Sequence, residues 1–75
     1  MNYMDYIDID PTVRSGKPHL KGTRMTVSDI LEYMASGMTS EQICSDFPEL
    51  TPAMLNACLS FAADRERHLH SAHPA

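Results

Sequence analysis

Arg14, Lys17, Lys21 and Arg24 supply four of the six Lys and Arg residues in this 75-residue chain, and residues 14–24 contain no carboxylate. Cations packed that densely on a short segment can hold phosphates or pair with an acidic partner. Their alternative role is to stay solvated and keep a strand edge from pairing with other chains. Residues 25–64 carry six carboxylates and no Lys or Arg. Contact with a polyanion must therefore use the basic stretch or the late pair Arg65 and Arg67. Lys17, Lys21 and Arg24 are accordingly assigned to backbone phosphates.

A second candidate group lies on the last helix, where Ala53, Asn56, Ser60, Ala63 and Arg67 share a small, polar face. An exposed Asn can bond an adenine edge in the major groove, with Ser adding a weaker contact. Asn56, Ser60 and Arg67 are the helix residues assigned to DNA. The opposing interpretation is a bundle that shows a bland surface to water or to a partner.

Other reactive side chains form no working set. Gly16-Lys17 and Lys21-Gly22-Thr23 lack the GxxxxGK[ST] order of a phosphate-binding loop. His68, His70 and His73 sit beside Pro74 in an expected tail, and Asp5, Asp8 and Asp10 lack calcium-loop spacing. Cys44 and Cys58 fit neither a redox pair nor a zinc pattern, and their helical positions make them small core residues. No nucleophile has a base at a supporting position. The expectation is a non-enzyme with no catalytic residue, metal, cofactor or small-molecule substrate.

The elements that position these residues follow from periodicity and caps. Tyr6, Ile7 and Ile9 alternate with Asp8 and Asp10, a short strand closed by Asp10-Pro11. A hairpin is expected from Pro18-His19-Leu20 through Lys21-Gly22 to residues 23–27, with a bulged loop as the alternative to a tight primed turn. A first helix runs from Val27 or Ser28 to Ser36, capped by Thr26 or Ser28, burying Val27, Ile30, Leu31, Met34 and Ala35 and stopped by Gly37. Thr39 and Gln42 form a capping box for a short helix from Ser40 to Asp46. Thr51-Pro52 opens a third helix to about Arg67, with Met54, Leu55, Cys58, Leu59, Phe61 and Ala62 as its apolar stripe. The predicted fold is mainly α: a three-helix, homeodomain-like core containing a helix-turn-helix, with an N-terminal β-strand or hairpin appendage. Residues 1–67 form the single domain and residues 68–75 a flexible tail.

A chain this short buries only about 60% of its unfolded surface, so oligomerisation is a natural remedy. A homodimer is expected, its N-terminal strands offering one route. The net charge of −4 argues against indiscriminate coating of nucleic acid. No apolar run approaches the roughly 18 residues of a membrane span, and the first residues do not resemble a signal peptide. The expected location is the cytoplasm.

Gly16-Lys17-Pro18, followed by Leu20-Lys21-Gly22-Thr23-Arg24-Met25 and Val27, resembles the signature of the domain-of-unknown-function 433 (DUF-433) family. The likeness continues through Ile30-Leu31, Ala35-Ser36-Gly37, Ser40-Glu41, Ile43 and Asp46-Phe47-Pro48-Glu49-Leu50-Thr51 to Leu59 and Ala62-Ala63. The resemblance implies a small bacterial or archaeal, antitoxin-like protein, often encoded beside a PIN-like ribonuclease. Its implied partners are that toxin and the DNA of a shared promoter. His19 stands where an aliphatic residue is expected, Phe47 replaces a frequent Tyr, and Thr51-Pro52-Ala53-Met54 lacks charge. These departures thin the charge on the third helix. The competing expectation is a protein-binding module that docks its basic joint onto the acidic active site of a nuclease without touching DNA.

Overall fold

The computed structural model describes residues 2–72, with side-chain surroundings through His68. A 3₁₀ turn at Tyr3–Asp5 leads into β1 (Ile7–Asp8), a second 3₁₀ turn at Arg14–Gly16 and β2 (His19–Leu20). Three helices follow: α1 (Val27–Ala35), α2 (Ser40–Asp46) and α3 (Pro52–Ala72). The architecture is mainly helical, with a short antiparallel β pair ahead of the three helices.

Local chemistry sets the helix limits. Thr26 Oγ1 accepts the Asp29 N–H at 3.0 Å while Asp29 Oδ2 accepts the Thr26 N–H at 3.1 Å, which selects Thr26 over Ser28 as the α1 cap. At the other end Gly37, at φ 103°, donates to Met34 O, and Met38 N–H donates to Tyr33 O. That pair of bonds is a Schellman ending. The α2 cap is likewise reciprocal, with Gln42 N–H on Thr39 Oγ1 and Thr39 N–H on Gln42 Oε1. Thr51 Oγ1 accepts the Met54 N–H to open α3.

The core joins both layers: Ile7 and Leu20 from the β pair, Val27 and Ile30 from α1, Ile43 from α2, and Leu55, Ala57, Cys58 and Phe61 from α3. Tyr33 stacks on Phe47 with ring centroids 5.3 Å apart, tying α1 to the α2–α3 turn. Burial pushes the Cys58 thiol up to about 11, while Cys44 is only half-buried. A disulfide-exchange reagent at about pH 8 is expected to label Cys44 and to reach Cys58 only on unfolding, because the thiolate is the reacting form.

Three features differ from the sequence-based expectation. First, β2 pairs with β1 (Ile7↔Leu20, Asp8↔His19), and the expected return strand over residues 23–27 contributes one bridge, His19↔Thr26. Thr23 N–H bonds Leu20 O across Lys21-Gly22, and Gly22 alone of that pair has positive φ, 78°. This is the type II pattern, which splays flanking strands where a primed turn would align them. Second, Leu59 is 48% exposed and Ala35 is also exposed, whereas Ala57 is fully buried. The apolar stripe of α3 is rotated because the Tyr3–Asp5 turn, α1 and α2 all pack against this helix. Third, α3 continues five residues beyond Arg67, to Ala72; no Gly or Pro interrupts it before Pro74. The expected tail is thus helical at residues 68–72, and residues 73–75, including His73, lie outside the described part.

Candidate polyanion-binding edge

Arg14, Ser15 and Gly16 all adopt positive φ (48°, 59° and 80°), a left-handed corner that costs a non-glycine residue roughly 1–2 kcal/mol. Contacts made by Arg14 hold that corner in place. Arg14 Nη1 donates to Arg24 O and to Asp29 Oδ2, each at 3.0 Å, and so ties the corner to the loop before α1 and to the α1 cap. Arg14 is therefore a brace and not a free cation. Local pattern reading overlooks this role, because Asp29 is fifteen residues away.

That brace presents the remaining cations. Lys17, Lys21 and Arg24 are exposed, and no side-chain hydrogen bond or ion pair engages them among the described residues. Lys17 follows the left-handed corner, Lys21 stands in the type II turn, and Arg24 lies two residues before the α1 cap. Each of the three thus stands in or beside a turn whose backbone is fixed by hydrogen bonds. His19, within the basic stretch, is 5% exposed and forms part of the β bridge, with Nδ1 3.4 Å from Lys17 O. It serves as a core residue where an aliphatic one was expected.

Burial pushes the Asp29 carboxyl up, but the Thr26 backbone N–H, the Arg14 guanidinium and the Thr26 hydroxyl together hold it below the ordinary 3.8. Asp10, bonded by the Thr12 backbone and hydroxyl, is also lowered, as is Asp64 under the Tyr3 hydroxyl. A carboxylate depressed by folding stabilises the protein above its unfolded value, and that contribution is lost as pH falls through the folded value. Urea titrations between about pH 6 and 2 should show stability falling from about pH 5 downward, as the unfolded chain's carboxyls (3.8) take up protons before the folded ones do. Asp29→Asn should cost about 1 kcal/mol at neutral pH and flatten part of this acid slope.

The α3 candidates are placed less uniformly. Asn56 is exposed and Ser60 half-buried. Arg67 is exposed, but its Nη2 donates to Asp64 Oδ1 at 3.3 Å. Asp64 also accepts the Tyr3 hydroxyl at 2.5 Å, and Tyr3 meets Phe61 edge-on, so this part of α3 anchors the N-terminal turn. The three assigned residues do not form a common cluster of free donors; Asn56 alone stands open. Arg65 lies over the Phe61 ring, 5.3 Å from its centroid. Among the described residues no group of three His, Cys, Asp or Glu side chains is placed to hold a metal ion. No described helix is long and apolar enough to cross a membrane.

The fold and edge define a class: a small three-helix domain with a short helix–turn–helix segment and a braced, cation-bearing β corner at its N-terminal side. Within that class the chain belongs to the DUF433 family, proteins of unknown function, whose family profile matches residues 7–62. The fold is similar to that of a DUF433 member protein from Anabaena variabilis, with a TM-score of 0.78 and 23% sequence identity. That similarity covers 95% of this chain and 74% of the other. No curated protein matches the chain.

Proposed function

We propose that this protein is a small antitoxin-like regulator that binds DNA, holding backbone phosphates with Lys17, Lys21 and Arg24. The observation that carries this reading is the division of labour within the basic stretch. Arg14 is consumed in bracing, while the three cations it presents are exposed and unpaired among the described residues. Exposed cations without an intramolecular partner meet phosphates without first breaking a bond, and counterion release then drives binding. In this reading α3 follows as the reading helix, with Asn56 as its base-contacting residue and Ser60 in support. Arg67 contributes only by leaving Asp64. A homodimer on a two-fold operator belongs to the same proposal, as does neutralisation of a PIN-like ribonuclease.

The β1 edge offers little to a strand-mediated dimer. It is two residues long, and Asp8 Oδ1 takes the Ile9 N–H at 2.9 Å. Among the described residues, exposed Met4, Ile9 and Leu59 are the large apolar side chains available for association instead. Sedimentation equilibrium measures this directly.

A second reading, a protein-binding module without DNA, is favoured by the charge of the helices. Glu41, Asp46 and Glu49 are exposed on or just after α2, where a helix-turn-helix would approach the phosphates. The discriminating experiment is fluorescence anisotropy with DNA from upstream of the protein's own gene and with unrelated DNA. Preference for its own DNA supports the regulator; absence of binding at low salt leaves the module. Asn56→Ala should then cost about 1–3 kcal/mol of discrimination at one base position, read by competition with single-base operator variants. An unchanged preference removes Asn56 from base readout.

A further inference from the structure

A carboxylate beside a row of cations ordinarily weakens their hold on phosphates, because it repels the anion. Asp29 has that position, in the first turn of α1 with Oδ2 3.0 Å from Arg14 Nη1. Its bonds point to the opposite effect. The same Oδ2 accepts the Thr26 N–H at 3.1 Å, two residues after Arg24. Arg14 Nη1 also donates to Arg24 O at 3.0 Å, and Arg14 O accepts the Lys17 N–H at 3.2 Å. One carboxylate oxygen therefore reaches, through Arg14, the main chain of both Lys17 and Arg24. Lys21 is anchored independently: its N–H donates to Tyr6 O at 2.9 Å, and the Thr23 N–H closes its turn on Leu20 O. The corner also needs holding, since Arg14 and Ser15 stand at φ 48° and 59°, where L side chains are disfavoured.

We propose that Asp29 is a positioning residue for the basic edge, raising its affinity for phosphates despite carrying their sign of charge, by holding Lys17 and Arg24 through Arg14. This inference rests on the phosphate-binding reading of that edge. Asp29 itself touches no phosphate, and the Arg14 guanidinium beside it offsets its charge. Charge alone gives the contrary expectation. Removing Asp29 makes the protein more positive and releases the guanidinium, so the variant would bind a polyanion more tightly and with a steeper salt dependence. Positioning requires weaker binding and a shallower dependence. The two effects differ in sign.

The test is a salt series of anisotropy titrations with the upstream DNA duplex, on the full-length parent and Asp29→Ala, with circular dichroism confirming the fold of each. The slope of log affinity against log salt should flatten by about 0.9 for each of Lys17 and Arg24 that loses its phosphate, up to about 1.8. Affinity should fall on the order of tenfold, with Lys21 still in contact. In an Arg14→Ala background the further loss of Asp29 should no longer flatten the slope, because Asp29 acts through Arg14. Asp46→Ala, which removes an exposed carboxylate of α2, is the charge control and should not weaken binding. Should Asp29→Ala fail to fold, Asp29→Asn gives a smaller change of the same sign, since a neutral amide holds a guanidinium less firmly. Tighter or equal binding, weaker binding at an unchanged slope, or equal flattening in the Arg14→Ala background would each overturn the proposal while leaving the edge in place. A parent that does not bind DNA would remove the phosphate-binding reading and this inference together.

Discussion

Reversing Lys17, Lys21 and Arg24 together to Glu is expected to abolish DNA binding while leaving the fold intact. These side chains are exposed and make no side-chain bond among the described residues, so each should change stability by only about 0.5 kcal/mol or less. If each holds one phosphate, their loss flattens the dependence of log affinity on log salt by about 2.7, and affinity should fall on the order of a hundredfold or more. Anisotropy against a salt series reads the first effect and urea melts the second. Arg14→Glu provides the contrast. It should weaken DNA binding through disorder of the corner, and it should lower stability as well, because Arg14 bonds Arg24 O and the Asp29 carboxylate. A triple variant that binds as well as the parent would remove the basic edge from the function.

Leu20→Ala should have the largest effect on stability. Leu20 is completely buried, pairs with Ile7, donates its N–H to Met25 O and accepts the Thr23 N–H, so it joins the β pair, the type II turn and the core. Emptying such a site costs about 2–5 kcal/mol, against the roughly 3–5 kcal/mol that a core of this size supplies. The variant should therefore be largely unfolded at 37 °C, with an early, shallow urea transition by circular dichroism. Leu59→Ala, at a position 48% exposed, should change stability by well under half as much. Comparable losses at the two positions would contradict the core assignment.

The contrast between Leu20 and Leu59 shows what sequence patterns convey. Cap chemistry is local, so Thr39 with Gln42 marks α2 and its Ser40–Asp46 limits directly, and Gly37 marks the end of α1. The exposure of Lys17, Lys21, Arg24 and Asn56 was equally legible, from charge clustering and from the polar face of α3. Periodicity says that α3 has an apolar side, but the direction it faces depends on neighbours brought in from residues 3–5, 27–35 and 40–46. Ala57 is consequently core and Leu59 surface, although residue type suggests the reverse. Long-range bonds were illegible for the same reason. The Arg14–Asp29 brace spans fifteen residues, and the Tyr3–Asp64 bond joins opposite ends of the chain. The pairing of Arg67 with Asp64 is a helical i, i+3 contact that the sequence does contain; it takes from Arg67 the freedom expected of a DNA contact.

The salt dependence of binding to the protein's own upstream DNA tests the central claim most directly. The account predicts binding that weakens linearly in log affinity against log salt with a slope near −2.7 per protomer, as three phosphate contacts require, together with tighter binding than to unrelated DNA. Salt-independent binding, or no binding at low salt, would contradict it and leave the protein-binding module as the function of this fold.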